Sequence, residues 1–135
     1  MKLTLTGPET EVLTVHLHVM RKSIKSVLKR NYGYLEGKRL MKVYDEVKTT
    51  LKDQLEYLDE NTEYPFLLNE EEIDLLYSFL QAFCQKVEAE MTNKIENDRE
   101  RNKAKDNLKF DVLNGVKEKV TNLYVHINAG ETVGV

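Results

Sequence analysis

The chain has 135 residues, of which 41% are hydrophobic and 32% charged, and its formal net charge is −3. This composition is typical of one charge-rich globular domain and excludes a disordered chain. The acidic balance also argues against a general electrostatic attraction to nucleic acid or to anionic membranes.

The first predicted helix covers about residues 7–31 and opens with a capping pattern. Thr6 stands three residues before Glu9, so each side chain can bond the backbone N–H of the other residue. Apolar residues then recur with spacings of 4, 3, 4 and 3, as in the seam of a packed helix. These residues are Leu13, Leu17, Met20, Ile24 and Val27. Alternation over 11–19 also permits a strand, but the longer seam favours a helix that ends near Gly33.

A second helix is predicted over about 38–60, followed by a connection at 61–69. The third helix, about 70–96, is the most apolar and is expected to be central. It repeats the capping pattern of the first, because Asn69 stands three residues before Glu72.

The polar stretch after the third helix contains no glycine or proline, and we expect the chain to reverse near 97–102. A fourth helix is predicted over about 103–126 and a loose tail over 128–135. Gly115 is either a weak point of this helix or a place of close helix approach.

These elements predict a single all-α domain over residues 1–135. The repeated helix start suggests an antiparallel four-helix bundle built from two helical hairpins. A short terminal strand pair is an additional option, in which residues 2–5 would pair with Tyr124–Ile127.

Few residues point to chemistry. On a helix, His16 and His18 point about 200° apart, so they cannot hold one metal ion, although they share a face if the segment is a strand. Cys84 lies beside the apolar seam of the third helix, where a thiol is usually inert. Since no catalytic or phosphate-binding motif occurs, we predict no enzymatic activity, no cofactor and no metal. The acids Glu70–Glu72 and Asp74 are interpreted as favourable charges at the start of a helix.

The charge layout is more informative. Between residues 21 and 42 the chain has eight basic residues and one acidic residue, whereas 53–74 has nine acidic residues and no basic one. In an antiparallel hairpin these two blocks are expected at opposite ends of the bundle. The candidate contacts for an anion or a partner are Arg21, Lys22, Lys25, Lys29, Arg30, Lys38, Arg39 and Lys42.

The leading functional hypothesis is a non-enzymatic protein–protein interaction module, either a homo-oligomer or a small regulator or inhibitor that docks on a charged protein. It depends on apolar residues beyond the needs of one seam, namely Val12, Val15, Val19, Leu75 and Phe79. The alternative is a nucleic-acid-binding regulator that uses the basic end at 21–42. A single cysteine and the lack of a membrane span or signal peptide favour the cytoplasm. The lysine- and glutamate-rich style resembles small proteins of low-GC bacteria and their phages.

Overall fold

The structure, a computed structural model, describes residues 1–55, 59, 61–94, 97–107 and 109–133. It is mostly helical, as predicted, and has a short two-stranded sheet. The elements in chain order are β1 (Lys2–Thr6), α1 (Gly7–Val19), α2 (Arg21–Lys52), β2 (Glu63–Leu67), α3 (Glu70–Lys94), α4 (Asp98–Asn107) and α5 (Phe110–Val133). The described residues thus form five helices where the sequence predicts four. The antiparallel four-helix bundle as such stays a prediction.

Both predicted capping patterns are present. The Glu9 backbone N–H donates to the Thr6 hydroxyl at 3.3 Å, and the Thr6 N–H donates to the Glu9 carboxylate at 2.9 Å. At the start of α3, the Glu72 N–H donates to the Asn69 side-chain oxygen at 2.8 Å, and the Asn69 N–H donates to the Glu72 carboxylate at 3.0 Å. Each box satisfies backbone groups that a helix start leaves unpaired. The sequence therefore locates the starts of α1 and α3 correctly.

The region 11–19 is helical, so the strand alternative is wrong. The predicted first helix is nevertheless divided at Met20, whose φ of −86° and ψ of 1° interrupt the helical geometry between α1 and α2. The Met20 N–H still donates to the His16 carbonyl, and the Ile24 N–H donates to the Met20 carbonyl. Backbone hydrogen bonding therefore continues through Met20 from one helix into the next.

The chain reverses direction within α2, at Gly33. This residue has a φ of 83° and a ψ of 177°, a combination that is essentially restricted to glycine. A Cβ on Gly37 would lie only 3.0 Å from the Lys29 Cα, which requires residues on either side of Gly33 to face each other. We call residues 21–32 the first arm and residues 34–52 the second arm of this hairpin.

The hairpin agrees with the prediction that a turn follows the first helix, but the predicted bounds of the second helix are wrong. Helical geometry resumes directly after Gly33 rather than near residue 38, and α2 ends at Lys52. Asp53 caps this end, and its N–H donates to the Thr49 carbonyl at 3.0 Å. Of the predicted 38–60 helix, residues 56–58 and 60 lie outside the described part of the chain.

The two strands pair antiparallel, with Leu3 opposite Phe66 and Leu5 opposite Tyr64. The connection predicted over 61–69 therefore contains β2, and β2 is the partner of the N-terminal strand. The predicted pairing with Tyr124–Ile127 is wrong, because those residues belong to α5.

The second half of the chain also differs from the prediction. Residues 98–107 form α4, so the reversal expected near 97–102 is absent from those residues and the helix predicted from about 103 does not begin there. Lys109, with a φ of 54°, separates α4 from α5. The tail predicted over 128–135 is helical as far as Val133, and residues 134–135 lie outside the described part.

The core lies between the helices and one face of the sheet. The Tyr77 ring of α3 stacks on the Tyr124 ring of α5 with centroids 3.9 Å apart, and the Gln81 amide nitrogen lies 3.5 Å from the Thr121 hydroxyl. Because the residue numbers run in opposite directions, α3 and α5 are antiparallel. Residues buried in this core include Leu13, Leu17, Leu51, Ile73, Leu76, Leu80, Leu113, Val116 and Val120.

Two polar contacts join α1 to its neighbours. The Tyr44 hydroxyl of the second arm donates to the Leu17 carbonyl inside the core. The Lys119 Nζ of α5 lies 2.6 Å from the buried Glu9 carboxylate. A Cβ added at Gly115 would lie 3.1 Å from the same carboxylate, which leaves little room for a side chain there. Gly115 is thus a place of close approach between α1 and α5. No helix formed by the described residues combines the length and apolar character that crossing a membrane requires.

Candidate binding site: the basic groove

The two arms of α2 enclose a groove of about 430 Å³ that collects most of the predicted cations. Its lining includes Arg21, Lys25, Lys29, Lys38 and Lys42. Gly37 and Met41, both buried, together with Tyr34 and Asp45 complete the lining. We call this feature the basic groove. It unites cations that lie up to 21 positions apart in the sequence because Gly33 folds one arm back on the other.

The cations of each arm recur every four residues, so they follow one face of each helix. Arg21, Lys25 and Lys29 come from the first arm, while Lys38 and Lys42 come from the second. A step of four residues corresponds to about 6 Å along a helix. The basic groove therefore presents two facing rows of positive charge.

One end of the basic groove is closed by an ion pair. The Arg21 guanidinium donates to both carboxylate oxygens of Asp45, each at 2.8 Å. Hydrogen bonding from Arg21 lowers the pKa of Asp45, and the same bond raises the pKa of Arg21. This bidentate pair fixes the relative position of the arms, and it pairs the charge of Asp45, the one carboxylate among the described lining residues.

The four lysines of the groove differ from Arg21 in their ionic contacts. Within the described part of the chain, Lys25, Lys29, Lys38 and Lys42 form no salt bridge within 4.0 Å. Lys29 instead lies over the Tyr34 ring, with its Nζ at 5.2 Å from the ring centroid. All four lysines are exposed, so their charges are accessible to an anionic partner.

The other three predicted cations lie outside the basic groove. Lys22 and Arg30 are exposed elsewhere on the first arm. Arg39 donates to Glu36 on its own helix and to Glu71 near the start of α3, and these bonds raise its pKa. The Arg39–Glu71 contact also corrects the expectation that the basic and acidic blocks lie at opposite ends, since the two blocks meet here.

The tip of the hairpin is exposed and partly apolar. No residue from Lys29 to Glu36 is buried. Tyr32 is 58% exposed, Tyr34 62% and Leu35 80%. Tyr44, the other tyrosine among the predicted cations, is buried and its pKa is raised by burial. Among the described aromatic side chains near the cations, those of Tyr32 and Tyr34 at the tip are therefore the accessible ones.

A second groove, of about 700 Å³, lies along α1 and is lined mostly by apolar residues. Val15 and Val19 are 50% and 69% exposed, and Val12 also lines it. We call it the valine groove; its other members include Met20, Phe83, Val87 and Val112, bordered by Glu11 and Lys109. The surplus of valines predicted on the first helix thus lines a groove, whereas Phe79 belongs to the core.

His16 forms part of the floor of the valine groove. Its ring and that of Phe83 form a T-shaped pair with centroids 5.1 Å apart, and its Nδ1 lies 3.0 Å from the Val12 carbonyl oxygen. Burial lowers the pKa of His16, although the backbone contact opposes that shift. His18 is exposed on another side of the helix. Among the described residues, no group of three or more side chains is arranged to hold a metal ion.

Cys84 is buried in α3, and burial raises the pKa of its thiol. Such a thiol is a poor nucleophile, in agreement with the interpretation as core.

Sequence reasoning missed Tyr34, Gly37, Met41 and Asp45 as groove residues. Gly37 stands four positions after Gly33, and this spacing is informative only once the reversal at Gly33 is known to place Gly37 against Lys29. Asp45 is 24 residues from Arg21, and no local pattern links the two.

Comparison with protein-family models, with curated proteins and with solved structures gives no match to this chain.

Proposed function

We propose that the protein is a non-enzymatic interaction module that binds an acidic partner protein through the basic groove. One observation carries this proposal: five cations from both arms converge on one groove, and the single carboxylate among its described lining residues, Asp45, is already bonded to Arg21. The four remaining lysines are exposed and free of salt bridges to the described residues, so an acidic partner need not displace an existing pair.

The strength of such binding depends on several charges acting together. An exposed ion pair contributes about 0–1 kcal/mol, so one lysine alone would give no useful affinity. Several cations at fixed positions raise the association rate and select partners of opposite charge. The groove is suited to this because the Arg21–Asp45 pair and the close contact at Gly37 fix the spacing of the two rows.

The test is affinity capture from lysate of the native host with two matched variants. In the groove variant, Lys25→Glu is combined with Lys38→Glu. In the control, Lys22→Glu is combined with Arg30→Glu, which changes the net charge equally on residues outside the lining. We expect proteins held after nuclease treatment to be lost with the groove variant and kept with the control. Equal retention by both variants would refute binding through the groove.

Nucleic-acid binding is the second candidate, and the exposed tip favours it. Tyr32 and Tyr34 are accessible beside the cations, and tyrosine rings can stack on unpaired bases. This candidate predicts binding to single-stranded oligonucleotides that weakens steeply with salt and that Tyr32→Ala reduces. Binding that is absent at low salt would remove it.

The valine groove supports a further part of the proposal, namely that the protein is a homo-oligomer. Val15 and Val19 stand exposed beside a groove of apolar lining, and burying them against a second copy would remove apolar surface from water. We expect Val15→Glu with Val19→Glu to produce monomers in sedimentation velocity. Val125→Glu, at a comparably exposed valine of α5, is the control. A monomeric wild-type protein at high concentration would contradict this part.

We further propose that the protein works in the cytoplasm as a small regulator or inhibitor. A free, buried Cys84 needs no oxidising compartment, which is compatible with that location.

A further inference from the structure

The basic groove has a geometry that restricts the shape of its occupant. On the first arm, Arg21, Lys25 and Lys29 form a row with a repeat of about 6 Å. On the second arm, Lys38 and Lys42 form a parallel row with the same repeat. An occupant that pairs with these rows must present its anions along a line, at about the same interval.

The floor of the groove is not charged. Met41 is 7% exposed and Gly37 is buried between the arms. The methylene stems of the lysines add apolar surface on both sides, because long cationic side chains keep only their heads in water. An occupant therefore gains most if it carries an apolar side chain between its acids.

The lining offers donors but few acceptors. Lysine ammonium groups donate and cannot accept, and the Asp45 carboxylate already accepts two bonds from Arg21. An extended peptide would bring backbone N–H groups that need acceptors, whereas a helix satisfies its N–H groups internally. Helices pack by fitting ridges of side chains into grooves, and the space between the two arms offers such a groove to a helix.

Bases have less to gain from this groove. Of the described lining residues only Tyr34 is aromatic, and the Lys29 ammonium lies over its ring at 5.2 Å from the centroid. One face of the ring thus already interacts with a cation, and the stacking surface of the described lining is limited to this one side chain.

We propose that the basic groove binds an amphipathic helix of another protein that carries carboxylates four residues apart and an apolar residue between them. Acids at positions i and i+4 are separated by about the same 6 Å as Lys25 and Lys29 on one arm and Lys38 and Lys42 on the other, so successive acids can meet successive lysines. This inference rests on the proposed binding of an acidic partner and specifies the form of that partner.

The experiment uses the full chain and two synthetic helical peptides of identical composition. In the register peptide, glutamates occupy i and i+4 with a leucine on the same face. In the permuted peptide, the same residues are distributed around the helix. Fluorescence anisotropy measures binding of each peptide, and a single-stranded oligonucleotide of equal charge serves as competitor.

We expect the register peptide to bind about tenfold more tightly than the permuted peptide, which corresponds to about 1.4 kcal/mol. Lys25→Glu with Lys38→Glu should abolish the difference, while Lys22→Glu with Arg30→Glu should keep it. Circular dichroism is used to check that both variants are folded, which we expect because the changes are at exposed positions.

Equal binding of the two peptides, or binding of neither, would overturn the inference of a helical occupant. So would displacement of the register peptide by the oligonucleotide at lower concentration, which would favour nucleic acid. These results differ from the result that would refute the proposed function. That result is that the groove variant still retains the captured proteins. The groove can thus bind an acidic protein of another shape even when the register peptide fails.

Discussion

Replacing Gly33 by alanine tests whether the reversal of α2 depends on a backbone conformation that L-residues avoid. With φ at 83° and ψ at 177°, an L-residue here should cost about 1–3 kcal/mol. A Cβ at Gly33 would meet no described heavy atom within 4 Å, so the cost comes from torsion angles and not from a collision. We therefore expect Gly33→Ala to be destabilised by about 1–3 kcal/mol, seen as a lower urea midpoint at an unchanged slope.

The mirror-image residue separates torsion from other causes. D-alanine prefers positive φ, and at Gly33 it restricts the unfolded chain without straining the fold. We expect D-alanine, introduced by chemical synthesis, to stabilise the protein by about 0.4–1 kcal/mol. If D-alanine were as destabilising as L-alanine, or if Gly33→Ala had no effect beyond about 0.5 kcal/mol, the torsional explanation would be refuted.

Gly37 is the matched control, because its mechanism is different. It has helical torsion angles, but its added Cβ would lie 3.0 Å from the Lys29 Cα and 3.1 Å from the Lys29 nitrogen. Backbone atoms cannot rotate away, so the two arms must separate. Gly37→Ala should destabilise the protein even though alanine favours a helix by about 1 kcal/mol.

Three further predictions concern the contacts around α1. Tyr44→Phe removes the buried hydroxyl bond to the Leu17 carbonyl and should lower the urea midpoint by the equivalent of about 1 kcal/mol; an unchanged midpoint would contradict this. Glu9→Gln removes the charge that pairs with Lys119 and weakens the cap of α1, so we expect a loss of about 1–2 kcal/mol in thermal unfolding, absent if the pair is not formed. Burial lowers the pKa of His16, so as pH falls the unfolded chain takes up a proton at a higher pH than the folded protein does. The free energy of unfolding should therefore be greatest above the ordinary pKa of 6.5 and decrease as pH falls below it. In His16→Gln, unfolding measured between about pH 8 and pH 5 should show a weaker dependence, and an equal slope would refute the assignment.

The features that the sequence predicts well are local ones. The capping boxes at Thr6 and Asn69 involve residues three positions apart, and the bonds they make need no other part of the fold. The reversal at Gly33 is similarly local, because it depends on what one residue can adopt. The eight candidate cations follow from a count along the chain, and five of them line the basic groove.

The features that the sequence does not predict depend on distant parts of the chain. The N-terminal strand could pair with any short extended segment, and Pro65 makes 63–67 an unpromising strand. Pro65 is tolerated in β2 because the sheet formed by the described residues has two strands, so each strand has an open edge. The break at Lys109 is not marked by glycine or proline. Which residues line the groove depends on which face each arm turns toward the other. The sequence alone therefore does not identify Asp45 and Met41 as lining residues.

The exposed tip of the hairpin has a consequence for how the protein can change over time. Because no residue from Lys29 to Glu36 is buried, turns added there would not disturb the core. Seven residues inserted in each arm would lengthen the hairpin by about 10 Å and preserve the facing of its two sides. Evolution or design can therefore adapt the hairpin to longer ligands through paired insertions on either side of Gly33, and to shorter ones through paired deletions.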